Sequence, residues 1–150
     1  IAGMNGVQFS RCYGASKAAV GCMSESWAVE LKKHNIAVSA LCPAFVQTRI
    51  HESLRNLQPA YEAVKEHDAD KLKSGNAENK AKLLVESGIP TSVLAKRVVE
   101  ALQSGQTYIF THPNFRSSVA YRSSLLDAAF ADAEDSPIVR HLKDDEIMML

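Results

Sequence analysis

The feature that most constrains this chain of 150 residues is a long helical stretch followed at once by a short apolar run. A helix is predicted from about Arg11 to Lys33, with small residues in its first half and apolar residues at helical spacing in its second. Asn35 is a residue type that accepts the left-handed conformation in which many helices stop. Ile36 to Cys42 then predicts a strand buried on both faces, ended by Pro43. A helix joined so tightly to such a strand indicates an α/β fold with a parallel sheet.

The charge-rich region between residues 48 and 88 differs in character from what precedes it. Its apolar residues are scattered, which predicts two or three amphipathic helices. Breaks are expected near Pro59 and at Ser74–Gly75, because both are turn-forming sequences. No internal repeat or low-complexity tract is present.

The last third of the chain returns to a regular alternation of elements. A helix is predicted from Thr91, the candidate N-cap, to Ser104, with Gly105 as its stop. Tyr108 to Thr111 indicates a brief strand, and Pro113 opens a final helix that runs to about Ala133. We expect five apolar residues of this last segment to face inward: Phe115, Val119, Leu125, Leu126 and Phe130.

Bulk composition argues against several classes of function. Lys and Arg together number 17, as do Asp and Glu, so no net charge favours nucleic acid or an acidic membrane surface. No apolar run is long enough for a membrane span, and no segment has the pattern of a signal peptide. The three cysteines and five histidines lack metal-ligand spacing. We expect the cysteines to be buried free thiols of a reducing compartment, the cytoplasm.

Tyr13 and Lys17 lie four residues apart at the start of the first helix and therefore share one face. An unperturbed tyrosine titrates near pH ~10 and is a poor base at neutral pH. A nearby ammonium stabilises the phenolate, which lets the phenol give or take a proton under physiological conditions. Taken alone, such a pair is also common on solvated helix faces, so the pair by itself does not decide between chemistry and packing.

Three segments in order give the pair its context. Residues 13–20 (YGASKAAV) resemble the Tyr-x-x-x-Lys signature of the short-chain dehydrogenase/reductase family. Upstream, residues 1–3 (IAG) resemble the family segment that follows its catalytic Ser, which would lie immediately before Ile1. Downstream, residues 43–48 (PAFVQT) resemble the family pattern Pro-Gly-x-Val-x-Thr. The chain is thus similar to the C-terminal part of a short-chain dehydrogenase, a Rossmann-like doubly wound parallel sheet.

The resemblance implies an NAD(P)-dependent interconversion of alcohol and ketone. Tyr13 would be the general acid/base, and Lys17 would stabilise its phenolate and hold the nicotinamide ribose. Both residues would therefore also contact the cofactor, NAD or NADP.

The loop at 43–48 would, by the same resemblance, wrap the nicotinamide end of the cofactor. Pro43, Ala44 and the backbone of Val46 would line it, and the Thr48 hydroxyl would meet the carboxamide or a nearby phosphate. Ala44 stands where the family usually has Gly, which would strain a position that needs a positive φ. An N-cap for the next helix is the alternative role for Thr48.

Further expectations concern substrate and assembly. Residues 49–88 would form a helical substrate lid within a single domain that spans residues 1–150. Gln8, Phe9 and Phe45 would either border the substrate or only pack the loops. The substrate is expected to be a largely uncharged carbonyl or alcohol. The parent protein is expected to be a homodimer or homotetramer, with no nucleic-acid or membrane partner, paired through the first helix by its apolar residues: Met23, Trp27 and Leu31.

The sequence lacks the glycine-rich phosphate-binding turn of a first βαβ unit. We therefore expect a fragment of an active oxidoreductase, which would bind cofactor weakly or not at all when isolated. The alternative is a catalytically inactive remnant that serves as a structural or assembly partner. The joint presence of Tyr13, Lys17 and Thr48 favours the enzyme.

Overall fold

The computed structural model describes residues 1–8, 10–56, 58 and 76–144. Four α-helices are described: α1 (Arg11–Lys32), α2 (Asn76–Glu86), α3 (Thr91–Gln103) and α4 (Arg116–Asp135). Two strands are described, β1 (Ala40–Cys42) and β2 (Tyr108–Phe110), and they pair in parallel with Leu41 opposite Ile109. Short 3-10 segments cover Ile50–Asn56, Pro113–Phe115 and Arg140–Leu142. The predicted α/β character with parallel strands is confirmed, whereas the doubly wound sheet stays a prediction.

Helix α1 agrees with its predicted bounds to within one residue. It ends as its sequence indicates, because Asn35 has a φ of 58°. The Ile36 amide donates to the Leu31 carbonyl at 3.3 Å, and the Asn35 amide donates to that of Lys32 at 3.0 Å. These two bonds satisfy carbonyls that the last turn would otherwise leave without partners.

Strand β1 is shorter and more open than predicted. It covers only Ala40–Cys42, and Leu41 and Ile36 are 43% and 50% exposed. Burial on both faces requires a covering layer on each side of the sheet and neighbours on both edges. Within the described ranges β2 is the one strand paired with β1, so the expectation of two-sided burial was wrong here.

The core lies where α3 packs against β2. Ala101 is fully buried, and Ile109 is 2% exposed. Arg97 of α3 fixes this packing, because its Nε donates to the Phe110 carbonyl at 3.1 Å and its Nη2 to Gln106 Oε1 at 2.6 Å. The ladder starts from the same corner, where the Ala40 amide donates to the Thr107 carbonyl at 2.7 Å.

Helix α3 begins one residue away from the predicted cap and stops at the predicted glycine. Pro90 occupies the N-cap position, so Thr91 is the first helical residue and not the cap. Gly105 has a φ of 66°. The Gln106 amide donates to the Ala101 carbonyl at 3.0 Å, and the Gly105 amide donates to the Leu102 carbonyl. A left-handed glycine closes the helix in this way.

The inward orientation expected for the last helix was wrong. No residue of α4 is buried, and Leu125, Leu126 and Phe130 are 53%, 49% and 74% exposed. The helix packs against the 3-10 segments that flank it, Pro113–Phe115 and Arg140–Leu142. An apolar stripe is buried only where a second layer covers it. In the described part of the chain no such layer lies on α4.

Of residues 49–88, the structure describes 49–56, 58 and 76–88, and this part contains the α-helix α2. Ile50–Asn56 forms 3-10 turns with a kink at Glu52, and α2 packs against them through the buried Val85. The expected breaks near Pro59 and Ser74–Gly75 lie outside the described residues. None of the described helices is long and apolar enough to cross a membrane.

The cysteines are free, as expected, but their burial was predicted wrongly for two of them. Cys12 and Cys22 are exposed and Cys42 is half-buried. Cys12 and Cys22 lie on α1, whose buried residues are Gly21 and Ser24.

Candidate functional site

The candidate site lies where the three matched segments converge. Strands β1 and β2 are parallel, so the loops that follow them, at 43–48 and 111–112, leave the same edge of the sheet. In open α/β sheets, ligands bind outside the carboxyl ends of the strands. The backbone nitrogen of Ile1 donates to the Pro43 carbonyl at 2.7 Å, which joins segment 1–3 to the first of these loops.

Segment 1–3 also lies directly against helix α1. A Cβ atom on Gly3 would stand 2.6 Å from the carbonyl carbon of Lys17 and 2.8 Å from the nitrogen of Ala18. Gly14 faces the Ala2 carbonyl oxygen, 3.6 Å from where its own Cβ would be. Segment 1–3 can approach the backbone of α1 this closely because glycines stand at the points of contact.

Tyr13 and Lys17 are adjacent on the first turns of α1. The Lys17 ammonium lies over the Tyr13 ring, 5.3 Å from its centroid. Tyr13 is 52% exposed, and its carbonyl accepts a hydrogen bond from the Ser16 hydroxyl at 2.8 Å. A cation over an exposed aromatic face contributes about 0.5–1 kcal/mol. The pair therefore presents a phenol and a cation to a shared, solvent-accessible space.

The loop at 43–48 is held by the chain that returns after α2. Val46 forms a parallel bridge with Ile89. The Ile89 amide donates to the Phe45 carbonyl at 3.0 Å, and the Gln47 amide donates to the Ile89 carbonyl at 2.9 Å. In extended backbone, successive residues direct their N–H and C=O groups to opposite sides. The N–H and C=O of Val46 therefore point away from Ile89, and neither has a backbone partner among the described residues.

The other predicted loop residues are placed as follows. Ala44 does not strain the backbone, because Asn35 is the single non-glycine residue with a positive φ in the described ranges. Thr48 is exposed, and its hydroxyl accepts a long hydrogen bond of 3.4 Å from the Ile50 amide at the start of the 3-10 turns. This contact agrees with the capping alternative and leaves the hydroxyl accessible. Phe9, one of the substrate candidates, lies outside the described residues.

His112 is a residue at this edge that sequence reasoning did not assign to the site. Its Nδ1 accepts a hydrogen bond from the Ala44 amide at 3.4 Å and lies 2.7 Å from the Thr111 hydroxyl. A neutral ring whose Nδ1 accepts the Ala44 bond carries its proton on Nε2. The only sequence signal was position, since His112 follows a strand that runs parallel to β1.

Burial shifts the ionisation of one group at the end of β1. It raises the pKa of the Cys42 thiol. A raised pKa keeps the thiol protonated near neutral pH, so Cys42 is unsuited to act as a nucleophile. The proton-exchanging candidate at this edge remains Tyr13.

Two open cavities flank the site. One of about 390 Å³ lies beside Thr48, between the 3-10 turns and the end of α2. The other, of about 370 Å³, lies between segment 2–7 and the start of α1. Neither is lined by Tyr13 or Lys17. Among the described residues no cluster of His, Cys, Asp and Glu could hold a metal ion.

Comparison with known proteins relates this chain to one family. Residues 1–59 match the family model described as short chain dehydrogenase, a range that contains Tyr13, Lys17 and the loop at 43–48. A curated protein of Lactiplantibacillus plantarum, "CLA biosynthesis dehydrogenase/reductase", is 28% identical over 124 residues. That alignment covers 81% of this chain and 43% of the relative, so the chain spans less than half of the protein it matches. Both similarities support an oxidoreductase of the short-chain dehydrogenase type.

Proposed function

We propose that this chain is the proton-transfer half of an NAD(P)-dependent oxidoreductase that interconverts an alcohol and a carbonyl compound. The observation that carries the proposal is the convergence of three segments at one sheet edge. Segment 1–3 bonds to Pro43 and packs against α1 at Lys17, so it links the loop to the helix that carries Tyr13.

The residues of the loop fit the amide end of a nicotinamide cofactor. A primary carboxamide has one acceptor oxygen and a donor NH₂ group, and the backbone N–H and C=O of Val46 offer the complementary pair. Lys17 would donate to the ribose hydroxyls, and Thr48 would offer an accessible hydroxyl at the end of the loop. A bound nicotinamide supplies or accepts the hydride.

Tyr13 would move the proton that accompanies the reaction. In the reductive direction its hydroxyl donates a proton to the carbonyl oxygen of the substrate, and in the oxidative direction its phenolate takes the proton of the alcohol. The Lys17 ammonium, which lies over the same ring, stabilises the negative charge that Tyr13 carries after donation. Segment 1–3 holds both side chains in place through the backbone of α1.

Replacement of Tyr13 by Phe in the full-length protein tests this role. Loss of a general acid/base lowers turnover by about 100- to 10,000-fold, while cofactor affinity stays within about twofold. Tyr121→Phe is the matched control, because Tyr121 is 66% exposed on α4 and lines neither of the two cavities. Unchanged turnover in the Tyr13 variant would refute the assigned role.

We also propose that the chain is the later part of a longer protein. The sequence has no glycine-rich phosphate-binding turn, and it spans 43% of the curated relative. The coding sequence upstream of Ile1 provides the test: a Ser just before Ile1 and a glycine-rich turn further back are expected. A start codon at this position would contradict the proposal and favour an inactive assembly partner.

The substrate is proposed to be largely uncharged. Phe45, which precedes Val46 in the sequence, is 38% exposed, and Ile50, which follows Thr48, is 61% exposed. Both side chains offer apolar contact surface. A panel of apolar and anionic ketones, offered to the full-length protein, tests this. A clear preference for the anionic compounds would contradict it.

A further inference from the structure

The loop at 43–48 and the segment at 86–89 are joined by three hydrogen bonds. Two are the backbone bonds that Ile89 makes to Phe45 and Gln47, at 3.0 and 2.9 Å. In the third, Gln47 Nε2 donates to the Glu86 carbonyl at 3.1 Å. The segment thus lies along one side of the loop as a one-residue strand, although Gln47 and Glu86 are 39 positions apart in the sequence.

Gly88 is the residue that permits this approach. A Cβ atom there would stand 2.5 Å from both the carbonyl carbon and the oxygen of Phe45, and 2.8 Å from the Val46 nitrogen. All three atoms belong to the backbone, so no side-chain rotation could relieve the overlap. Any side chain at this position must push segment 86–89 away from the loop.

The bridge also fixes the direction of the Val46 peptide groups. Because Ile89 bonds to the residues before and after Val46, the N–H and C=O of Val46 itself face the opposite side. Without the bridge, the loop would be free to rotate these two groups. Ile89 therefore orients a donor and an acceptor that it does not itself touch.

We propose that Gly88 and Ile89 are positioning residues that hold the Val46 backbone in the orientation needed to bind the cofactor carboxamide. This inference rests on the proposed function. Under this inference, affinity for the nicotinamide end of the cofactor depends on the contact that Gly88 and Ile89 make with the loop at 43–48. Gly88 contributes by lacking a side chain, and Ile89 contributes through its backbone.

Gly88→Ala in the full-length protein is the main test, with Gly6→Ala as the matched control. A Cβ atom on Gly6 would meet nothing within 4 Å. We expect Gly88→Ala to weaken NAD(P)H binding by about tenfold or more, since misplacement of a binding group by a fraction of an ångström loses its hydrogen bonds. Gly6→Ala should leave the dissociation constant within about twofold of wild type.

Hydrogen exchange without cofactor provides a second readout. The amides of Gln47 and Ile89 are the donors of the bridge, so both should exchange faster in Gly88→Ala and at the wild-type rate in Gly6→Ala. Gln47→Ala serves as a milder variant, because the side chain is exposed and only one of the three bonds is removed. It should weaken cofactor binding by about 2- to 10-fold.

The possible outcomes separate this inference from the proposed function. If wild type binds NAD(P)H and Gly88→Ala binds it equally well, the positioning role is refuted while the proposed function stands. If the two amides exchange at the wild-type rate in Gly88→Ala, the bridge does not depend on Gly88 and the inference also fails. If wild type does not bind NAD(P)H, the proposed function fails and takes the positioning role with it.

Discussion

The contact between Gly3 and helix α1 predicts a large effect from a very small substitution. In Gly3→Ala the new Cβ would stand 2.6 Å from the Lys17 carbonyl carbon, 2.7 Å from its oxygen and 2.8 Å from the Ala18 nitrogen. These atoms lie in the backbone of a helix of 22 residues, which cannot yield at one point. The segment that carries Gly3 must move instead.

The size of the movement follows from these distances. Ordinary contact begins at 3.4 Å, so the segment must retreat by about 0.8 Å from the 2.6 Å position. A shift of that size is enough to lengthen the Ile1–Pro43 bond from 2.7 Å to about 3.5 Å, where it no longer counts as a hydrogen bond. Overpacking of this kind costs about 1–3 kcal/mol, and loss of the bond adds about 1 kcal/mol.

Urea unfolding measures this cost. The midpoint should fall at unchanged slope, which reports a loss of stability without a change in the surface exposed. Gly6→Ala is again the control and should stay within about 0.5 kcal/mol of wild type, since open space surrounds that position. If Gly3→Ala and Gly6→Ala unfold at the same midpoint, segment 1–3 does not run against α1 and the convergence of the three segments is wrong.

Two further predictions concern polar contacts around the sheet. The Tyr108 hydroxyl donates to the Glu25 carboxylate, and this bond, followed by partial burial, raises the pKa of Tyr108 to about 12. A folded pKa above the usual 10.0 means that the stabilisation is complete below pH 10 and is lost as the pH rises towards 12. Tyr108→Phe should therefore lower the free energy of unfolding by about 1 kcal/mol at neutral pH, and the loss should shrink at alkaline pH. Tyr121→Phe should leave the stability unchanged. An equal effect of the two substitutions would contradict the Tyr108–Glu25 bond. His112→Ala should accelerate hydrogen exchange of the Ala44 amide, because the substitution removes the imidazole nitrogen that accepts its hydrogen bond; an unchanged exchange rate would show that His112 does not support the loop.

Local sequence signals predicted the described helices and turns that depend on backbone conformation. Asn35 and Gly105 stop α1 and α3 because each can adopt a positive φ, and both do. The periodicity of residues 11–33 set the bounds of α1 to within one residue. These features depend on a few neighbouring residues, which is why a single sequence reveals them.

Burial could not be predicted in the same way. Leu41 and Phe130 are apolar and correctly spaced, yet they are 43% and 74% exposed. An apolar pattern indicates which face of a helix or strand would be stabilised by burial. The layer that buries this face comes from other parts of the fold. The sequence patterns of β1 and α4 therefore indicated layers that the described residues do not supply.

For the candidate site, sequence alone selected the reactive residue types. Tyr13, Lys17 and Thr48 were singled out by spacing and by resemblance, because chemistry of this kind demands particular side chains. Their catalytic and binding roles stay predictions. What sequence could not select were the residues that act through backbone or through absence of a side chain.

Tertiary structure alone decided how the site is supported. At Gly3 and Gly88, backbone atoms from a distant part of the sequence lie within 3 Å of where a Cβ would be, so each position requires glycine. Ile89 matters because it makes two backbone hydrogen bonds to the loop. His112 reaches the Ala44 amide from 68 residues away in sequence. The chemistry of each side chain can be read directly from the sequence, because it depends on the residue type. A close approach of two backbone segments exists only after the chain has folded.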